Sequence, residues 1–367
     1  MNKLTRISSV AILLILLTIT LNAQGGGAGV PFLRISPDAR SSGMGEIGTA
    51  IADDINAIYW NPAGLGFLDY FPKTDMSTDS KPVPYRQIAL CFSPWLPQFN
   101  ADLFYSYGTA GMHFDEIDGT VAFNFIFMNL GEFTRTDING NPKGNFTSSE
   151  YTFGLAYGTV VAKDLALGFQ LRYIRSNLAP VGGAQTAPGT GNSGGFDIGA
   201  LWKPKKLELL GKDIGDIFSL GINLKNIGPK ITYIKEADPL PTTLRMAAAF
   251  NLVQDEFNDL KIGCDVSKLL VHRDSLTIDP LPLSLISGWK NPGVELALGA
   301  EYWYEHIVAL RLGYFTEPAP LGDRKYWNFG AGVRYDIFHL DFSFINTIEA
   351  NHPLANTMRF SVLIDLE

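Results

Sequence analysis

The feature that most constrains this chain is strict two-residue alternation, repeated along most of its length. Leu165, Leu167, Phe169, Leu171 and Tyr173 alternate with Ala166, Gly168, Gln170 and Arg172. Tyr151, Phe153, Leu155 and Tyr157 alternate with Thr152, Gly154, Ala156 and Gly158. Trp327, Phe329, Ala331, Val333 and Tyr335 oppose Asn328, Gly330, Gly332 and Arg334. Phe338, Leu340, Phe342 and Phe344 alternate with His339, Asp341 and Ser343, and Met358, Phe360, Val362, Ile364 and Leu366 share one side. A period of two places one set on each face of a sheet. One face is greasy, with aromatics toward its ends; the other is small or polar. A soluble sandwich gives a similar pattern, so alternation alone leaves both architectures open.

Counting segments narrows the choice. Strands are predicted near 86–93, 100–107, 119–128, 151–160, 164–175, 194–203, 217–226, 242–251, 259–267, 294–303, 307–316, 326–336, 338–346 and 357–366. Most are long enough to cross a bilayer at a tilt. Longer connections, such as 129–149, 176–193 and 268–293, alternate with shorter ones, as in outer-membrane barrels with short periplasmic turns and longer outside loops. The first hairpin and the 204–216 connection depart from the trend. The expected fold is all-β, a 14-stranded antiparallel transmembrane barrel over 86–367. It must close, because lipid cannot satisfy an open sheet edge.

Composition removes the competitors. A chain that is 46% apolar and 12% aromatic is no disordered polymer. Two cysteines, Cys91 and Cys264, cannot scaffold it. They read as unpaired small apolar residues, although an oxidising compartment would permit a bridge. Beyond the first two dozen residues no apolar run is long enough for a membrane helix. Those first residues carry Lys3 and Arg6, the apolar stretch from Ile7 to Leu21, then Asn22-Ala23-Gln24. That is the layout of a secretory signal peptide, residues 1–23, with Gln24 opening the mature chain. The net charge of −8 and the lack of a basic stripe argue against nucleic acid. Lys203 to Lys206 reads as a solvated turn.

Residues 24–85 precede the first strand. Asp38 to Ala57 is rich in Gly, Ala and Ser, and Asn61-Pro62-Ala63-Gly64 is a turn former, with room for short helices before it. Small residues with few charges suit packing within a barrel lumen, as an N-terminal plug that closes or gates the pore.

Strings that look catalytic lack their context. Gly43-Met44-Gly45-Glu46-Ile47-Gly48 matches a dinucleotide fingerprint but follows no buried strand. Gly191-Asn192-Ser193-Gly194-Gly195 matches a nucleophile elbow, yet no strand precedes it and no helix follows, so a flexible surface loop is expected. Asp137, Asn139 and Asn141 lead to Pro142 where a calcium loop needs Gly, so a turn is expected. His113, His272, His306, His339 and His352 are scattered. No catalytic, metal or cofactor residue is assigned. Arg172, Arg311 and Arg334 with Asp197, Asp265 and Glu301 are expected to form a polar interior network.

Several motifs carry a resemblance. Ser42 to Gly48, then Asp53-Asp54 and Tyr59-Trp60-Asn61-Pro62-Ala63, resembles the N-terminal signature of FadL-like outer-membrane barrels. Phe32 to Arg40 is more narrowly similar to the PorV/PorQ family of the type IX secretion system of Bacteroidetes. Glu301-Tyr302-Trp303-Tyr304, Ala309 to Phe315, Gly322 to Tyr326 and His352 to Ser361 agree. The resemblance marks Gly43, Gly45, Gly48, Asn61, Pro62 and Ala63 as a plug motif. It implies a non-enzymatic outer-membrane protein that binds the giant type IX translocon barrel. Such a protein accepts cargo through C-terminal signal domains and delivers it to an attachment complex with a sortase-like subunit. Its other contact is outer-membrane lipid. The long loops near 129–149, 176–193 and 268–293 would offer the docking surface. The wider FadL-like resemblance implies instead a transporter of hydrophobic molecules. A third class, an enzyme acting on outer-membrane lipid, needs a Ser and a His held together on the lipid face, and the sequence presents no such pair.

Overall fold

The computed structural model describes residues 27–71, 83–99, 101–137, 139–179, 189–209, 211–234, 236–272, 277–291 and 293–366. Fourteen strands form one closed antiparallel ring. They are β1 (Arg86–Pro94), β2 (Phe104–Phe114), β3 (Gly119–Thr136), β4 (Pro142–Ala162), β5 (Leu165–Ala179), β6 (Gly189–Trp202) and β7 (Phe218–Ile227). The ring continues with β8 (Thr243–Gln254), β9 (Asn258–Leu269), β10 (Glu295–Tyr304), β11 (Val308–Thr316), β12 (Lys325–Tyr335), β13 (Phe338–Thr347) and β14 (Met358–Asp365). Each strand pairs with its sequence neighbours, and β1 closes on β14 from Gln87↔Asp365 to Phe92↔Phe360.

Which face points outward separates the two architectures left open by alternation. The greasy set is on the outside. Leu155 is 56% exposed, Leu171 56%, Leu310 60% and Phe360 51%, while Gln170, Asp197, Asn223, Glu301 and Asn328 are fully buried inside. A water-soluble sandwich would bury the first set and expose the second. A ring turned this way matches a hydrocarbon surround. Exposed Tyr304, Tyr335 and Trp327 add aromatics to the outer wall.

Strand boundaries correct two expectations. β2 runs on to Phe114, so the second connection is the short turn 115–118 and the first hairpin no longer departs from the trend. Residues 129–149 are mostly strand, because β3 and β4 extend to 18 and 21 residues around the turn 137–141. The apolar contrast ends there while backbone pairing continues, since Glu132↔Thr147 and Phe133↔Phe146 still pair beyond a one-residue register shift after Asn129. The 203–217 connection stays long at the end where the other turns are short, and carries a two-stranded ribbon, Glu208–Leu209 with Lys212–Asp213. A second ribbon, Ile231–Tyr233 with Glu236–Asp238, sits in the 228–242 connection at the opposite, long-loop end. The expected signal peptide and Gln24 lie outside the described residues, as does the middle of the 176–193 segment.

Candidate functional site

Residues 27–71 touch inward-facing residues of strands all around the ring, so they run through its lumen. Gly29 donates to the Pro239 carbonyl at 2.9 Å, at the long-loop end. Tyr70 reaches Asp115 at the short-turn end, at 2.5 Å. Between them lie two short helices, α1 (Ala39–Gly43) and α2 (Ala57–Trp60). The Asp38 carboxylate caps α1 by accepting from the Ser41 amide at 2.7 Å, and accepts from Trp60 Nε1 at 2.7 Å. One buried carboxylate thus ties both helices together.

The ring offers two seats of paired glycine. Gly299 and Gly313 lie opposite each other on β10 and β11. The Met44–Gly45 peptide presses on them so closely that a Cβ on Gly313 would stand 1.9 Å from the Gly45 nitrogen. Gly45 itself has φ +74°, a left-handed conformation that favours glycine. Gly158 and Gly168 form the second pair, on β4 and β5, beneath Pro62. The other motif residues fall around these seats. Gly43 faces Gly330, and Gly48 faces the Trp60 ring. Asn61 donates to the Thr49 and Ala200 carbonyls at 2.9 and 3.0 Å while its Oδ1 accepts from the Ala63 amide. Pro62 and Ala63 open a 3-10 helix to Phe67.

Charge fastens the segment between the seats. Arg40 donates to Asp53 at 2.6 Å, to Asp54 at 2.8 Å and to both oxygens of Glu301 at 2.8 and 2.9 Å. Lys261 holds Asp53 at 2.7 Å, and Arg311 holds Glu301 at 2.7 Å and Asp341 at 2.6 Å. Higher up, Arg245 pairs with Asp265 at 2.9 Å, and Asp265 accepts from the Thr49 amide at 3.0 Å. Arg172 pairs with Asp197. Lys225 sits over the Tyr59 ring at 3.5 Å. The expected interior network is therefore present as separate clusters, with residues of the lumen segment joining two of them. Arg334 joins by stacking on Trp303, 5.1 Å from the ring centre. Arg40 and Asp38 stand within recognised motifs, yet nothing local marks their partners, which for Arg40 and Glu301 are 261 positions apart.

Of the other sequence candidates, Gly191 to Gly195 is strand rather than surface loop, because β6 begins at Gly189. Ser193 is buried and donates to the Pro229 carbonyl at 2.9 Å. Asp137 accepts from the amides of Asn139 and Asn141, both at 2.9 Å, and makes the expected turn. Cys91 and Cys264 are free. Among the described residues no three His, Cys, Asp or Glu gather as a metal would need. The site is built to hold surfaces together. At the long-loop end a cavity of about 280 Å³, largely apolar, opens between Gly228, Pro229, Leu240, Val271 and Pro280.

A family model described as type IX secretion system protein PorV matches residues 21–275. Among solved structures, the toluene transporter TbuX of Ralstonia pickettii superposes with a TM-score of 0.53 at 12% identity, over 89% of this chain and 97% of that one. The toluene transporter TodX of Pseudomonas putida gives 0.52 at 13%, over 90% and 98%. The CymD monoaromatic hydrocarbon channel gives 0.53 at 11%, over 93% and 99%. At these identities the likeness is one of fold. No curated protein matches the chain.

Proposed function

Because the chain belongs to the PorV family of type IX secretion proteins and folds as a FadL-like outer-membrane barrel, we propose that it is a binding protein of that secretion machinery rather than an enzyme. Its short turns face the periplasm and its long-loop end faces outward. It binds the giant translocon barrel, accepts cargo by the C-terminal signal domain and carries it to the surface attachment complex. The observation that supports this reading best is the filled lumen. Residues 27–71 occupy it with paired charges and glycine seats, so they act as a plug. Cargo then has to be handled at the outer rim, where β3 and β4 extend farthest.

Native purification from the outer membrane, with mass spectrometry of what accompanies the protein, tests the proposal. The expected companions are a giant barrel, a sortase-like protein or cargo with uncleaved signal domains. A protein that purifies alone, or with fatty acid only, counts against it. The apolar cavity near Leu240 and Val271 favours a second reading, a transporter of small hydrophobic molecules. On that reading, deletion abolishes uptake of such molecules and leaves secretion intact. Lipid deacylation abolished by a single Ser substitution would overturn both.

A further inference from the structure

Above Phe196 the wall of the ring changes. β6 and β7 pair from Trp202↔Leu220 to Phe196↔Ile227, with a register shift in the last step. The irregularity falls at Asn226, whose φ is +57° and whose amide donates to Asp197 at 2.7 Å. From there the chain leaves the wall at Gly228 and Pro229. Its ribbon lies on the lumen side of β6, with Ile231 against Gly191. β6 nevertheless continues to Gly189, paired on its other side with β5 as far as Ala179↔Gly189. Among the described residues no strand pairs with the other edge of 189–195.

That edge has a definite direction. A Cβ on Gly228 would meet the Gly194 carbonyl oxygen at 2.1 Å, so this carbonyl points out of the edge. Alternate residues of a strand repeat the direction, so Thr190 and Asn192 also present their N–H and C=O there. The edge stands clear of hydrocarbon. The outward side chains beside it are Asn192 with Tyr173, bonded at 2.7 Å, and Arg175, whereas the apolar outer belt lies below, at Leu171 and Ile198. An unpaired edge is tolerated only at such a level. Sheet edges are commonly blunted by Lys, Pro or a covering element. Gly228 and Pro229 cover its foot, where Ser193 donates to the Pro229 carbonyl at 2.9 Å, and above them it reads Gly189-Thr190-Gly191-Asn192, with nothing bulky or charged. At its foot, Gly228 and Pro229 form one wall of the apolar cavity.

We propose that this edge is a binding site for an extended polypeptide segment of the secreted cargo, taken up by strand addition. The segment bonds to the backbones of Thr190 and Asn192 and places an apolar side chain in the cavity beside Leu240 and Val271. Donors and acceptors alternating along a strand are matched by another extended backbone and not by a lipid chain. The proposal rests on the cargo-binding reading and gives it a location.

The experiment compares the full-length protein in nanodiscs with Asn192→Pro and Asn192→Ala, using as probe an isolated C-terminal signal domain from a secreted protein of the same system. Proline removes the edge N–H and suits an edge position; alanine removes only the side chain. Wild type and N192A are expected to bind alike and N192P about tenfold more weakly. Hydrogen exchange on wild type gives a second readout that needs no variant: the Thr190 and Asn192 amides exchange freely alone and slow on binding. Equal binding by all three, with both amides still exchanging freely in the complex, overturns the edge site and leaves the cargo reading standing. No binding by wild type overturns the cargo reading itself, and the edge site with it.

Discussion

Arg40→Met is the substitution that bears most directly on whether the lumen segment is held by charge. The arginine joins Asp53 and Asp54 of the segment to Glu301 of β10. After its loss Asp53 keeps Lys261 and Glu301 keeps Arg311, but Asp54 keeps only the Asn56 amide at 2.8 Å. One partly buried carboxylate is therefore stranded. Removing one partner of a buried pair costs about 3–5 kcal/mol, and the two surviving pairs place this case at the low end. About 3 kcal/mol raises the dislodged state roughly a hundredfold. Planar-bilayer recording reads that state as openings of the plugged barrel. R40M is expected to open roughly a hundred times more often than wild type. R40M/D54N should recover a large part of the closure, because the stranded charge is gone. Unchanged opening frequency in R40M, or no recovery in the double variant, refutes the idea that these pairs hold the segment in place.

Gly168→Val puts a side chain where Pro62 lies, since even a Cβ would stand 2.2 Å from the Pro62 carbonyl carbon; limited proteolysis should cut the lumen segment of that variant and spare wild type. Leu312→Arg faces the outer belt, and should cost about 2–4 kcal/mol if near the bilayer midplane, measured by urea unfolding in liposomes; a negligible cost would contradict the outward assignment of the greasy face. In the hairpin tip, hydrogen bonds from the Asn141 side chain and amide hold the Asp137 carboxyl below its ordinary 3.8. Its support for the turn is present above that value and is lost as pH falls through the depressed one, so Asn139 and Asn141 amide protection at pH 5 should match that at pH 7.

How much of this was legible in the sequence follows from where the contrast between faces comes from. Against lipid, Leu171 beside Arg172 is as sharp a pair as a sequence can offer, and the strands there fall where alternation puts them. In the β3–β4 extension both faces meet water, Glu132 and Thr134 look no different from loop residues, and only backbone pairing makes them strand. Gly191 to Gly195 was misread for a related reason, because glycines along an edge resemble a flexible linker. The Asn226-Ile227-Gly228-Pro229 breaker was the available sign that β7 would stop short. The interior charges were recognisable as a set, but their pairing was not. Arg40 chooses Glu301 because the lumen segment crosses the ring at that height, which no local pattern encodes.

The path of the lumen segment also sets an order of events in assembly. Ala39 bonds to Ser361 of β14 at 2.8 Å, Ser42 receives Arg359 of the same strand at 2.6 Å, and Ile55 bonds to Gln87 of β1 at 2.8 Å. The segment therefore spans, from inside, the seam where the first and last strands meet. A ring that shut first would have to admit some forty residues of chain, with their charges, through an end already narrowed by turns. The sheet instead has to wrap around the segment, which waits for the last strand to arrive. Closure of the barrel and burial of residues 27–71 are then expected to proceed together, so that a defect in either should show itself as a failure of both.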